Sequence, residues 1–143
     1  MVVVTKAQKA DIEAILALQA QIYRIDSLAP NSRQVLENQL KDDSCQVLAA
    51  KVGGKIVGTA VIYFVEVPAR GRSYAFLEGL VIDKNVRGKG YGRAFFNECV
   101  KIAHDKNCYK MIFTSGLDRQ DAHKFYENLG FKKWGYEFRM NLD

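Results

Sequence analysis

A chain of 143 residues that is 48% hydrophobic and 26% charged has the make-up of one ordinary soluble domain, so a single domain over residues 1–143 is expected. The apolar runs around Val57–Val67 and Phe76–Ile82 are broken by Glu66 and Glu78 and are too short for a membrane span. Met1-Val2-Val3-Val4-Thr5-Lys6 lacks the basic and then apolar regions of a signal peptide, which predicts a cytoplasmic address and no membrane partner. Cys45, Cys99 and Cys108 form no CxxC pair and have no matching histidines, so they read as reduced thiols and no metal is expected. The formal charge of +5 is unevenly spread: residues 1–50 carry five Lys/Arg and six Asp/Glu, residues 51–143 sixteen and ten. Without a basic run or a nucleic-acid module, that excess suits an anionic small ligand and not nucleic acid.

In chain order, Val2–Thr5 reads as a strand and Asp11–Tyr23 as a helix, with Ile12, Ile15, Leu16, Ile22 and Tyr23 on one stripe. Pro30-Asn31-Ser32 opens a second helix, Arg33–Lys41, whose thin apolar face suits a lid or wall. Cys45–Val52 and Lys55–Val67 are strands joined at Gly53-Gly54, the signature of a tight hairpin. After a Pro68–Ser73 loop come a strand at Tyr74–Asp83, a helix at Tyr91–Lys106 and a strand at Tyr109–Ser115. Arg119–Leu129 is a helix closed by Gly130, and Lys132–Leu142 a last strand. This order calls for an α/β chain of the α+β type: a mixed, mostly antiparallel sheet of about six strands with helices on both faces.

Between the fourth strand and the third helix lies Arg87-Gly88-Lys89-Gly90-Tyr91-Gly92. Glycine accepts positive φ and lets a ligand approach the main chain, so successive N–H groups can converge on one anion at a helix N-terminus. Arg87, Lys89 and Arg93 add the charge a pyrophosphate calls for. The spacing is GxGxG, not the GxGxxG of a Rossmann turn, and no Gly-Lys-Ser/Thr closes a Walker loop.

That loop resembles the Arg/Gln-x-x-Gly-x-Gly/Ala loop of the GNAT superfamily of acyl-CoA-dependent N-acyltransferases. Leu77–Asp83 resembles the family's fourth strand, and Ala122-His123-Lys124-Phe125-Tyr126-Glu127-Asn128-Leu129-Gly130-Phe131 resembles its Ala-x-x-Phe-Tyr-x-x-x-Gly-Phe signature. The resemblance is strong over residues 45–143 and a matter of layout before them. It implies a GNAT fold with splayed fourth and fifth strands, acetyl-CoA as co-substrate, and direct attack by a primary amine in a ternary complex. It assigns the coenzyme pyrophosphate to Arg87, Gly88, Lys89, Gly90, Tyr91, Gly92 and Arg93, and the pantetheine arm to the main chain of Leu80, Val81 and Ile82. Gly79 would support a bulge there.

The resemblance makes Tyr126 the acid that protonates the leaving thiolate, against the plainer reading of a core aromatic on the stripe Ala122, Phe125, Tyr126, Leu129. Glu78 interrupts an apolar face of Tyr74, Phe76, Leu80 and Ile82; desolvation would suit it as the amine's base, and a structural carboxylate is the other reading. Arg119 stands where many members carry a cofactor-contacting asparagine, and a guanidinium could reach a phosphate instead. His104 and His123 read as surface or packing residues. The Arg-x-Asp-Ala-His-x-Phe-Tyr stretch from Arg119 is similar to bacterial aminoalkylphosphonate acetyltransferases, and Cys108-Tyr109-Lys110 with Phe125-Tyr126-Glu127 to glucosamine-phosphate acetyltransferases. Both imply a small-molecule, anionic amine as partner; a homodimer stays open. The alternatives are a protein or peptide N-acetyltransferase and a non-catalytic coenzyme A-binding module.

Overall fold

Near-continuous apolar runs, buried on both faces, fold Cys45–Val52 (β2) and Lys55–Val67 (β3) into a hairpin whose turn, Gly53-Gly54, has φ of 57° and 80°. The structure is a computed structural model describing residues 1–143, and it divides into two compact units, Met1–Ile112 and Phe113–Asp143. In the first, Val3–Lys6 (β1) and Arg72–Ile82 (β4) flank the hairpin antiparallel, and Met111–Ile112 (β5) joins β4 parallel, giving the order β1-β2-β3-β4-β5.

One sheet face carries Cys45, Val47, Ala49 and Val61, packed with Ile12 and Ile15 of Ile12–Gln19 (α1) and Leu36 of Ser32–Lys41 (α2). Glu13 and Arg33 form an ion pair between those helices. The other face carries Leu48, Ala60 and Ile62, all fully buried. Tyr91–Asp105 (α3) packs against β4 and buries Phe95, Cys99 and Ala103 at helical spacing, none of them in the first cluster. Helices therefore cover both faces, as the sequence predicts.

In the second unit Gln120–Asn128 (α4) ends with Gly130 at φ 101°. There the Phe131 N–H donates to Tyr126 O and the Gly130 N–H to Glu127 O, the paired bonds that close a helix on a left-handed residue.

Three boundaries differ from expectation. The first helix stops at Gln19, not Tyr23, because the chain tightens into turns and Arg24 takes a φ of 66°. The fifth strand shrinks to two residues, and Lys132–Leu142 forms no strand, so the sheet has five strands instead of six. Apolar alternation shows that a segment can pair; it supplies no partner.

Candidate active site

Two features of β4 shape its far end. Thr59 pairs with Val81 and Val61 with Glu78, so Gly79 and Leu80 together oppose Ala60 alone. This is the expected bulge, and Gly79, at φ 60°, has the left-handed backbone a bulge of this kind needs. The bulge also changes the face assignment: Tyr74, Phe76 and Glu78 continue into Val81, not into Leu80 and Ile82. Meanwhile β5 accompanies β4 only at Ala75↔Met111 and Phe76↔Ile112.

The Asp83 N–H donates to Val57 O on β3, so by alternation Ile82 turns its main-chain groups away from β3 while Val81 faces it. The Ile82 carbonyl already accepts a 3.0 Å bond from Arg87 Nε. That bond ties the loop to the strand end and fixes the guanidinium.

The turn into the loop is built from side chains. Asp83 Oδ1 accepts from the Asn85 N–H and from Asn85 Nδ2, each at 3.1 Å. The backbone bond from Asn85 is the main cause holding the Asp83 carboxyl below its ordinary range, with smaller help from Gln21 and Lys55 against a desolvation cost. A depressed carboxylate contributes stability above about pH 4 that is lost as pH falls through its folded pKa. Gln21 spans the same turn, since its Oε1 accepts from the Lys84 N–H at 2.9 Å and its Nε2 donates to Asp83 Oδ1 at 3.5 Å. Sequence reading misses Gln21, because nothing local marks a contact made 63 residues away.

Gly88 and Gly90 take φ of 81° and 83°, and Gly90 sits at the N-cap of α3. A Cβ at either position would meet nothing within 4 Å, so the space above the loop is open where a ligand would lie. Lys89 and Arg93 are exposed beside it, and Tyr91 and Gly92 half-buried in the first turn of α3. Open glycines, unsatisfied helix N–H groups and cations together fit a pyrophosphate.

Glu78 is solvent-exposed, so the expected desolvation is not found. In the second unit Tyr126 is half-buried on α4, its ring edge-on to Phe113 at 4.7 Å and to Phe125 at 5.9 Å. Arg119 is the N-cap residue of that helix and is also half-buried. His123 Nε2 lies 2.8 Å from Gly116 O, a packing role in line with expectation. His104 is exposed beside Asp105.

The family model described as "Acetyltransferase (GNAT) family" matches residues 12–131. The chain belongs to the GNAT acetyltransferase family. Among relatives of this GNAT chain, the glucosamine 6-phosphate N-acetyltransferase of Trypanosoma brucei brucei is 36% identical over 91 residues, 63% of this chain and 58% of that protein. The N-acetyltransferase 8 of Rattus norvegicus is 30% identical over 116 residues, 81% of this chain and 52% of the other. The chain thus spans little more than half the length of these two relatives. A solved protein of Agrobacterium tumefaciens superposes with a TM-score of 0.88 at 28% identity, covering 97% of this chain and 99% of that one. The GNAT family uses acetyl-CoA, and the open glycine loop with its flanking cations fits the pyrophosphate of that donor. No helix of the chain is long and apolar enough to cross a membrane.

The thiols bear on whether an acyl-enzyme could form. Burial, reinforced by Glu98, pushes the Cys99 thiol up to about 12. Burial also raises Cys45, with Asp42 adding to it and Lys6 opposing, and Cys108, which Arg72 opposes. Thiolate is the reactive form. Iodoacetamide at pH 7.5 should therefore leave all three cysteines of the folded protein largely unmodified by mass spectrometry, and label all three in denaturant. Rapid labelling of Cys108 in the native protein would reopen a covalent route.

Proposed function

We propose that residues 1–143 act as one N-acetyltransferase domain that moves an acetyl group from acetyl-CoA to the primary amine of a small anionic acceptor. The observation that carries this reading is the junction of β4 and α3, where the bulged end of β4 runs directly into an open glycine loop at a helix N-terminus. An extended amide-bearing pantetheine can add to the end of a strand as a peptide would, and the pyrophosphate would then fall on the glycine loop.

In this reading the main-chain N–H groups of Arg87–Gly92, with Lys89 and Arg93, hold the phosphates, and Arg119 contributes a further cation to the cofactor. Leu80 and Ile82 offer main-chain groups to the pantetheine arm, with Val81 between them. A Leu80 N–H facing the thioester oxygen would stabilise the developing oxyanion. Glu78, exposed and therefore able to exchange protons with water, takes the ammonium proton through water, and the free amine attacks the thioester carbon. As the tetrahedral intermediate collapses, the C–S bond breaks and the Tyr126 phenol protonates the leaving thiolate. Raised cysteine pKa values support direct attack over an acyl-enzyme.

The acceptor's anionic character rests on the basic excess of residues 51–143, which carry sixteen Lys/Arg against ten Asp/Glu. The Trypanosoma relative's named substrate, a phosphorylated aminosugar, has that chemistry. Release of coenzyme A thiol, measured across a panel of phosphorylated aminosugars, aminophosphonates, neutral amines and lysine peptides, tests the reading. Turnover confined to peptides would favour the protein-acetyltransferase alternative, and none with any amine would favour a binding module.

A further inference from the structure

We infer that Gln21 is a positioning residue that joins the donor loop to the turn after α1, so that acetyl-CoA held on the loop also fixes the side chains beside Glu78 that the acceptor approaches. The inference rests on the donor site and the role of Glu78 proposed above. Past Ala20 the chain is held by short-range bonds: the main-chain N–H of Gln21 donates to Leu18 O at 2.9 Å, that of Ile22 to Gln19 O at 3.2 Å and that of Ile25 to Ile22 O at 3.0 Å. Such three-residue bonds have poorer geometry than α-helical ones, and turns built on them open locally. What fixes this turn must therefore come from its side chains.

Two contacts tie it to β4 and to the loop that follows. Gln19 Nε2 and Ile22 Cδ1 each lie 3.6 Å from where a Cβ of Gly79 would stand, in the bulge next to Glu78. Gln21, half-buried, reaches the entry of the donor loop, with Oε1 accepting from the Lys84 N–H at 2.9 Å and Nε2 donating to Asp83 Oδ1 at 3.5 Å. A primary amide suits that place, because it offers an acceptor to the N–H and a donor to the carboxylate at once. A carboxylate of the same size would meet Asp83 with like charge, and an apolar side chain would return the Lys84 N–H to water. Further along, Gly88 and Gly90 have open space where a side chain would stand. The loop is thus braced at its entry and free at its glycines, so a pyrophosphate that orders the glycines also steadies the entry, Gln21 and the turn. An amine that then meets an ordered Ile22 has less ordering left to do and binds more tightly.

Amide exchange, read residue by residue, tests this with 3′-phospho-ADP, the half of the coenzyme that carries the pyrophosphate and has no pantetheine to lie along β4. In the wild type it should slow exchange at residues 88–92 and also at the main-chain N–H groups of Gln21, Ile22 and Ile25. Gln21→Met should keep the protection at residues 88–92 under saturating ligand and lose it at Ile22 and Ile25. Its KM for the amine at saturating acetyl-CoA should rise roughly tenfold, the loss expected from a hydrogen bond to a charged group, with kcat within about twofold. A side chain that served stability alone would lower the melting temperature and leave the protection pattern as in the wild type, which overturns the inference. If Gln21→Met misfolds, the wild-type exchange still decides. Protection at residues 88–92 with none at residues 21–25 overturns the coupling and leaves the donor site standing; no protection at residues 88–92 overturns both.

Discussion

Tyr126→Phe is expected to lower kcat with acetyl-CoA and any accepted amine by roughly 10²- to 10⁴-fold, the usual worth of a positioned general acid. The phenylalanine ring keeps the edge contacts with Phe113 at 4.7 Å and Phe125 at 5.9 Å, so the helix should stay packed. Removing only the hydroxyl leaves the thiolate to depart unprotonated, a burden that falls on the chemical step and not on binding. KM for acetyl-CoA should therefore stay within about twofold, and kcat and kcat/KM should fall together. A thiol-release assay at saturating substrate reads the effect, and an unchanged kcat would return Tyr126 to a packing role.

The second large effect is expected at Gly90. Any other residue at φ 83° carries about 1–2 kcal/mol of left-handed strain, and its side chain would enter the open space over the loop. Gly90→Val should weaken acetyl-CoA binding about 10- to 100-fold, matching one lost hydrogen bond to a charged group at about 1.5–3 kcal/mol. Gly53→Ala is the control. It bears similar strain at φ 57° in the β2–β3 turn, so it should lower the melting temperature without changing acetyl-CoA affinity. Equal losses of affinity in both variants, read by calorimetric titration, would mean that Gly90 acts only through stability.

Features encoded over short stretches were legible in the sequence. The Gly53-Gly54 hairpin, the Gly79 bulge, the glycine loop before α3 and the Gly130 helix end all follow from the few residues that build them. Features set by distant partners were not. Gln21 braces the loop from beyond α1, and β5 finds a partner at only two positions of β4. Glu78 shows the same limit. Its place among apolar residues suggested burial, yet the carboxylate lies in solvent, and the bulge beyond it redirects only the residues that follow. Lys132–Leu142 has the right alternation for a strand and no edge assigned to it. Pattern specifies the faces of an element, and tertiary context decides what they meet.

Amide hydrogen exchange with and without acetyl-CoA tests the central claim, that the β4–α3 junction holds the donor. Acetyl-CoA should slow exchange at residues 88–92 and at Leu80 and Ile82, and Gly90→Val should need about 10- to 100-fold more acetyl-CoA for the same protection. Tight acetyl-CoA binding that protects other segments while leaving residues 80–92 unchanged would contradict it.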